Sequence, residues 1–154
     1  MPDTWVTTAQ VSMACQTEPM DATEFIWMDG EMVPWEDAKV HVLVHGLHYG
    51  TGAFEGIRAY ETPTGTAVFR LTDHMDRLRR SSKALGIPLA YEVPELVAAA
   101  KETIRVNGLQ SCYVRPITFY GTGSMGLNPA GATVHLVIAA WEWGACLLYT
   151  SPSP

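Results

Sequence analysis

The sequence predicts an α+β domain whose antiparallel-rich sheet is covered by two helices, and three observations lead there. β-like runs come first, two helical periods follow, and two further β-like runs close the order. Asp29-Gly30 lies between two short apolar runs in "EFIWMDGEMVPW", a dipeptide suited to the tight hairpin of an antiparallel pair. "LTDHMDRLRRSSKALGIP" and the segment after Pro94 repeat apolar residues at helical spacing and end on glycine-containing stops.

In chain order, residues 1–23 mix Thr, Gln, Ser and Pro without a period and predict an extended or disordered arm. Organised structure starts at Glu24 with the hairpin. "AFEGIRAY" and "TAVFRL" flank "ETPTG", whose Pro63 and Gly65 mark a turn, so they read as paired strands, with Ala53 to Tyr60 as one strand. The first helix has Thr72 as its N-cap candidate, Asp73 in its first turn, and Met75, Leu78, Ser82 and Leu85 on one face before Gly86 and Pro88. The second carries Leu96, Val97, Ala100 and Ile104 and stops at Asn107-Gly108. "CYVRPITFYG" and "TVHLVIAAWEW" then read as two strands joined by "GTGSMGLNPAGA", the second apolar enough to be central. After Ala145 the character changes abruptly: a Ser-Pro-Ser-Pro ending continues neither helix nor central strand, which sets residues 24–145 apart from a tail at 146–154.

Bulk composition narrows the function classes. Ten Lys and Arg against sixteen Asp and Glu give a formal net charge of −6, which leaves no strongly basic face for nucleic acid. No segment is apolar for the about 18 residues that a membrane helix requires. Three cysteines, Cys15, Cys112 and Cys146, lack CxxC spacing, so they predict neither a disulfide framework nor a zinc site and fit a reducing cytoplasm.

Several motifs carry both a chemical and a plain reading. Gly121 to Gly126 matches G-x-G-x-x-G, but "LNPAGA" follows where a dinucleotide site needs a helix, so a loop at a sheet edge is the preferred reading. His41, His45 and His48 fall within eight residues, yet the β-branched, glycine-broken context favours packing and turn roles over a metal. No nucleophile elbow is present, and Cys112 reads as a small core residue. Arginines say more, because a guanidinium beside aromatics is costly unless it meets an anion. Arg58 alternates with Phe54 and Gly56, and Tyr113 with Arg115, so each set shares a strand face and offers rings and a cation together. An ion pair with Glu55, Glu61 or Asp37 accounts equally well for Arg58 and Arg115. For Arg77, beside Arg79 and Arg80, spacing alone favours a solvated basic face.

The stretches "FIWMDGEMVPWEDAKVHVLVHGLHYGTGAFEGIRAY", "RLTDHMDRL", "SCYVRPI", "SMGLNPAG" and "AAWEWGA", taken in one register from Phe25 to about Ala145, resemble the branched-chain amino acid aminotransferases, fold-type IV enzymes that use pyridoxal 5′-phosphate. The resemblance implies the smaller N-terminal domain of a homodimeric enzyme of this kind, present as a fragment that is inactive by itself. It implies that Arg77 holds the cofactor phosphate, and that Tyr49, Phe54, Gly56, Arg58, Tyr113, Arg115, Leu127 and Trp143 belong to the substrate pocket. Tyr49 and Leu127 match positions contributed across the dimer interface. The implied substrates are leucine, isoleucine or valine, exchanged with glutamate and the corresponding 2-oxo acids, so one pocket must accept an apolar chain and a carboxylate in turn. The family's Schiff-base lysine matches none of Lys39, Lys83 and Lys101, which leaves no catalytic residue to assign. The sequence departs from the family at Cys146, where "CLLYTSPSP" resembles foreign or frame-shifted sequence. A D-amino acid aminotransferase, an aminodeoxychorismate lyase and a non-catalytic dimerisation module remain as alternatives.

Overall fold

The structure, a computed structural model, describes residues 22–123 and 125–143. Cys15, Cys146, most of the predicted arm and the whole predicted tail lie outside these residues. The elements are β1 (Phe25–Met28), β2 (Glu31–Pro34), a 3₁₀ turn (Trp35–Asp37), α1 (His45–Tyr49), β3 (Gly52–Phe54), β4 (Ile57–Thr62), β5 (Gly65–Val68), α2 (Leu71–Ala84), α3 (Val93–Val106), β6 (Cys112–Tyr120) and β7 (Val134–Trp141). One seven-stranded sheet runs in the order β2-β1-β7-β6-β4-β5, with β3 also paired to β6. All its pairings are antiparallel, as the sequence predicts.

The β1–β2 hairpin closes on Asp29 and Gly30, whose φ values of 52° and 109° are the left-handed pair that a two-residue turn needs. Asp29 also ties the hairpin to β7, accepting from the Leu136 amide at 2.8 Å while its other oxygen meets His135 Nδ1 at 2.6 Å. β6 and β7 form the central ladder, in register from Tyr113↔Trp141 to Tyr120↔Val134.

The predicted single strand from Ala53 to Tyr60 is two strands on one register. Phe54 faces Ile117 and Ile57 faces Val114, so Glu55 and Gly56 lie opposite Pro116 and Arg115. Glu55 donates its amide to the Pro116 carbonyl at 2.9 Å, but Pro116 has no N–H to return. The ladder breaks there and resumes two residues later.

α2 and α3 pack on one face of the sheet. Met75, Leu78, Leu96, Ala100, Val114, Ile138 and Ala140 are fully enclosed between them, each large side chain contributing about 1.5–3 kcal/mol by leaving water. Leu85, predicted on the inner face of α2, is exposed, because the helix ends at Ala84 and Gly86 turns the chain with φ 72°. The predicted N-cap Thr72 lies inside the helix: Arg70 occupies the cap in a left-handed conformation, with its side chain paired to Asp73 at 2.5 Å. α3 begins with a reciprocal capping box between Glu92 and Glu95 and Pro94 in its first turn, and Glu92 also pairs with Arg79 of α2. No helix among the described residues is long and apolar enough to cross a membrane.

Candidate functional site

Burial along β6 alternates residue by residue: Cys112, Val114, Pro116, Thr118 and Tyr120 are buried against the core, while Tyr113, Arg115, Ile117 and Phe119 form the opposite, half-open face. That second face carries the candidate site. Its central row is Arg58, Tyr113 and Trp141, neighbours in register on β4, β6 and β7. Trp143 follows Trp141 two residues on, and the Tyr113 ring lies 5.2 Å from the first and 4.5 Å from the second. The Arg115 guanidinium stacks 4.5 Å above the Phe54 ring and donates through Nη2 to the Tyr113 hydroxyl at 3.0 Å. Gly56 makes room for this arrangement: a Cβ there would stand 2.0 Å from the Tyr113 hydroxyl oxygen. Phe54, Gly56, Arg58, Tyr113, Arg115 and Trp143, all expected at one site, therefore share one wall. Trp141 belongs to it as well; its alternation with Trp143 in "WEW" carried the signal.

The two arginines on this wall have buried nitrogens without partners, Nη2 of Arg58 and Nε of Arg115. Neither makes an ion pair among the described residues, so the internal pairing left open by the sequence does not form. Glu55 is turned to the other face. A buried donor left unmet costs about 1–3 kcal/mol, so each guanidinium holds hydrogen-bonding capacity that no described residue meets.

Glu55 is the polar centre of a second group. Its buried carboxylate lies on the core side of the sheet, next to α2. Arg77 grips it side-on, Nε to Oε1 at 2.6 Å and Nη2 to Oε2 at 2.5 Å, and His74 meets Oε2 at 3.0 Å. Burial alone pushes the Glu55 carboxyl upward, but the hydrogen bonds and charges of Arg77 and His74 outweigh it and hold the group below its ordinary range. The same contacts raise Arg77. Because the carboxylate only accepts, the His74 nitrogen facing it carries the proton, and its 3.3 Å approach to Arg77 Nη2 brings two donors together without a bond. Arg77 is thus no freely solvated cation, although its side chain is 60% exposed. Sequence reasoning offered Glu55 as a partner for Arg58 or Arg115 and missed Arg77 and His74; the signal was a carboxylate in an apolar strand, opposite His and Arg three residues apart on a helix.

Tyr49 and Leu127 fall elsewhere, on α1 and on the loop before β7. The region from His45 to Tyr49 is a short helix, where the β-branched, glycine-broken context favours packing and turn roles. Buried His45 bridges the Thr51 hydroxyl at 2.8 Å and the Gly126 carbonyl at 3.0 Å, and Tyr49 donates to the Met125 carbonyl at 2.8 Å. His48 meets the Val42 carbonyl at 3.0 Å, and His41 accepts from the Leu43 amide at 3.1 Å. The loop is thereby bound to α1, with Leu127 standing 83% exposed at its tip. Cys112 is a core thiol, pushed up to about 11 by burial and then by the Glu142 charge.

Concavities of about 450 and 790 Å³ open beside α2 and between β5, α2 and α3, and neither contains a side chain of this wall. Lys83 lines the first and Lys101 the second.

The sequence matches the family described as amino-transferase class IV over residues 52–150. It is 51% identical over 125 residues to the branched-chain-amino-acid aminotransferase of Pseudomonas aeruginosa, covering 81% of this chain and 41% of that protein. The Escherichia coli counterpart is 50% identical over 125 residues, covering 80% of this chain and 40% of its own length. The fold superposes on the Escherichia coli enzyme structure with a TM-score of 0.77 at 49% identity, over 79% of this chain and 42% of that one. A T.th. branched-chain amino acid aminotransferase complexed with N-(5'-phosphopyridoxyl)-L-glutamate gives 0.76 at 47% identity, over 79% and 41%. The chain therefore spans about 40% of the length of the curated relatives it matches.

Proposed function

Because this chain belongs to the class IV aminotransferase family, we propose that it forms the substrate-facing wall and phosphate clamp of a branched-chain amino acid aminotransferase. The observation that carries the reading is the pair of buried, unmet donors on Arg58 and Arg115, set among Phe54, Tyr113, Trp141 and Trp143. Such a wall holds a carboxylate and an apolar chain side by side. Leucine, isoleucine or valine brings both; glutamate brings a second carboxylate, which Arg115 and Tyr113 are equipped to meet.

The residues present also fit pyridoxal 5′-phosphate. Arg77 keeps Nη1 without a partner among the described residues, on an exposed guanidinium, as a phosphate ligand requires. The relative that carries N-(5'-phosphopyridoxyl)-L-glutamate supports both the cofactor and glutamate for this chain. When bound, the cofactor supplies the electron-withdrawing ring through which an amino group passes from an amino acid to a 2-oxo acid. The chain's own part is to hold and exclude: Arg77 fixes the phosphate, Arg58, Arg115 and Tyr113 orient the carboxylates, and the rings keep water from the side-chain slot. Gly56 lets the Tyr113 hydroxyl lie close to the strand backbone.

Tyr49 and Leu127, bound together through the Met125–Leu127 loop, complete the site of a second copy in a homodimer. This gives the exposed Leu127 an apolar destination. Residues 24–145 act as the domain unit, and the enzyme works in the cytoplasm.

The test is substrate preference in a complete enzyme carrying this segment. L-Leucine with 2-oxoglutarate yields glutamate, D-alanine does not, and the 154-residue chain alone gives no turnover with either. D-alanine as the better donor would replace this reading with that of a D-amino acid aminotransferase; turnover by the chain alone would refute the division of labour.

A further inference from the structure

We propose that Glu55 is a positioning residue for Arg77, fixing the guanidinium so that its Nη1 edge meets a phosphate monoester; the inference rests on the cofactor reading above. A carboxylate on the core face of a sheet is costly where an apolar side chain would pack freely. Ala53, Ile57 and Ala59, the neighbours that share that face, are all apolar and buried. Glu55 breaks the pattern, and what it obtains is a side-on grip on one arginine. An arginine on a helix surface samples many rotamers, and an anion binding it must order them. In this chain the ordering is already done: Nε and Nη2 are committed at 2.6 and 2.5 Å, and Nη1 is left outward.

His74 completes the clamp. It stands one helical turn before Arg77 and donates to the same oxygen that Nη2 reaches, which fixes the rotation of the carboxylate. Glu55 also offsets part of the guanidinium charge, so a strong grip on the phosphate depends on direction more than on net charge. The ion pair of Arg105 with Glu102, on the exposed surface of α3, has the same side-on geometry at 2.7 and 2.5 Å and no buried anchor. It serves as an internal control.

The experiment uses the ¹⁵N-labelled 154-residue chain and follows the arginine Nε–H resonances, with Arg77→Lys assigning the Arg77 signal. Pyridoxamine 5′-phosphate, pyridoxamine and inorganic phosphate are the probes, none with an aldehyde to react with lysines. We expect an ordered, slowly exchanging Arg77 Nε–H that both phosphate compounds shift and pyridoxamine does not. In Glu55→Gln the signal should broaden into solvent exchange and phosphate affinity should fall about tenfold, as for a misaligned charge-assisted contact, with Arg105 unchanged. Glu55→Asp, which keeps the charge but is too short for both nitrogens, should fall between, and it carries the test if the glutamine variant does not fold. Phosphate affinity unchanged in either folded variant, with Arg77→Lys still weakening it, overturns the positioning role and leaves Arg77 as the phosphate ligand. An ordered, Glu55-dependent Arg77 signal that ignores phosphate in the unsubstituted chain overturns the cofactor reading instead.

Discussion

Gly56→Ala puts the geometry of the wall under direct load. The added methyl would lie 2.0 Å from the Tyr113 hydroxyl oxygen and 3.0 Å from the ring carbon that bears it. Contact distances between such atoms are about 3.5 Å, so the phenol must retreat by about 1 Å or more. It cannot retreat alone. The hydroxyl accepts from Arg115 at 3.0 Å and the ring packs against Trp141 and Trp143, so all three neighbours shift or lose contact. Overpacking of this kind costs about 1–3 kcal/mol, partly offset by the about 0.5–1 kcal/mol that alanine gains over glycine in a strand. The expected net is a destabilisation of about 1–2 kcal/mol, read as the midpoint and slope of urea unfolding. The decisive measurement is the same substitution in a Tyr113→Phe background. Removing the hydroxyl deletes the 2.0 Å clash and leaves the 3.0 Å one, so the cost of the methyl should drop by about 1 kcal/mol or more. Equal costs in both backgrounds would refute the claim that Gly56 exists to admit this phenol.

Three further outcomes follow from the same geometry. Glu55 titrates below its ordinary 4.5 in the folded chain, so its stabilisation is present above that value and is lost as pH falls through the lower folded value; the urea midpoints of the unsubstituted chain and Glu55→Gln should therefore converge on acidification. Cys112, raised to about 11 by burial, should escape alkylation at about pH 8 until the chain is unfolded, which peptide mapping by mass spectrometry can follow beside Cys15 and Cys146. The Asn107 side chain accepts from the Phe25 amide and donates to the Phe25 and Thr103 carbonyls, all at 2.8–2.9 Å, so Asn107→Ala should unlatch β1 from the end of α3 and cost about 2–3 kcal/mol in the same unfolding assay.

Local chemistry made much of this fold legible. Asp29-Gly30 specifies its hairpin with two residues, and Leu96, Ala100 and Ile104 specify the buried stripe of α3 through spacing alone. What escaped was set by partners distant in sequence. The break at Glu55 depends on Pro116, about 60 residues on, whose missing N–H matters only once β6 lies alongside. The five-residue helix at His45 is held by Thr51 and the Gly126 carbonyl, contacts that no window on "VHVLVHGLHYG" contains. Thr72 is a sound cap by residue type, yet the entry from β5 requires a left-handed residue two positions earlier, and Arg70 takes it with Asp73 as its ion partner. In the candidate site, alternation put Phe54, Gly56 and Arg58 on one face correctly. It could not say that Glu55, on the other face, would reach across to the helix that bears Arg77.

The alternation of β6 has a practical consequence for anyone mutating this strand. Over nine consecutive residues, buried and half-open side chains interleave without exception. A saturation scan scored once for abundance and once for ligand preference should split like the teeth of two combs: Cys112, Val114, Pro116, Thr118 and Tyr120 failing the first score, and Tyr113, Arg115, Ile117 and Phe119 passing it while changing the second. Neighbouring codons in one short strand thus answer to separate constraints, one set to the packing of the core and the other to whatever lies on the half-open face.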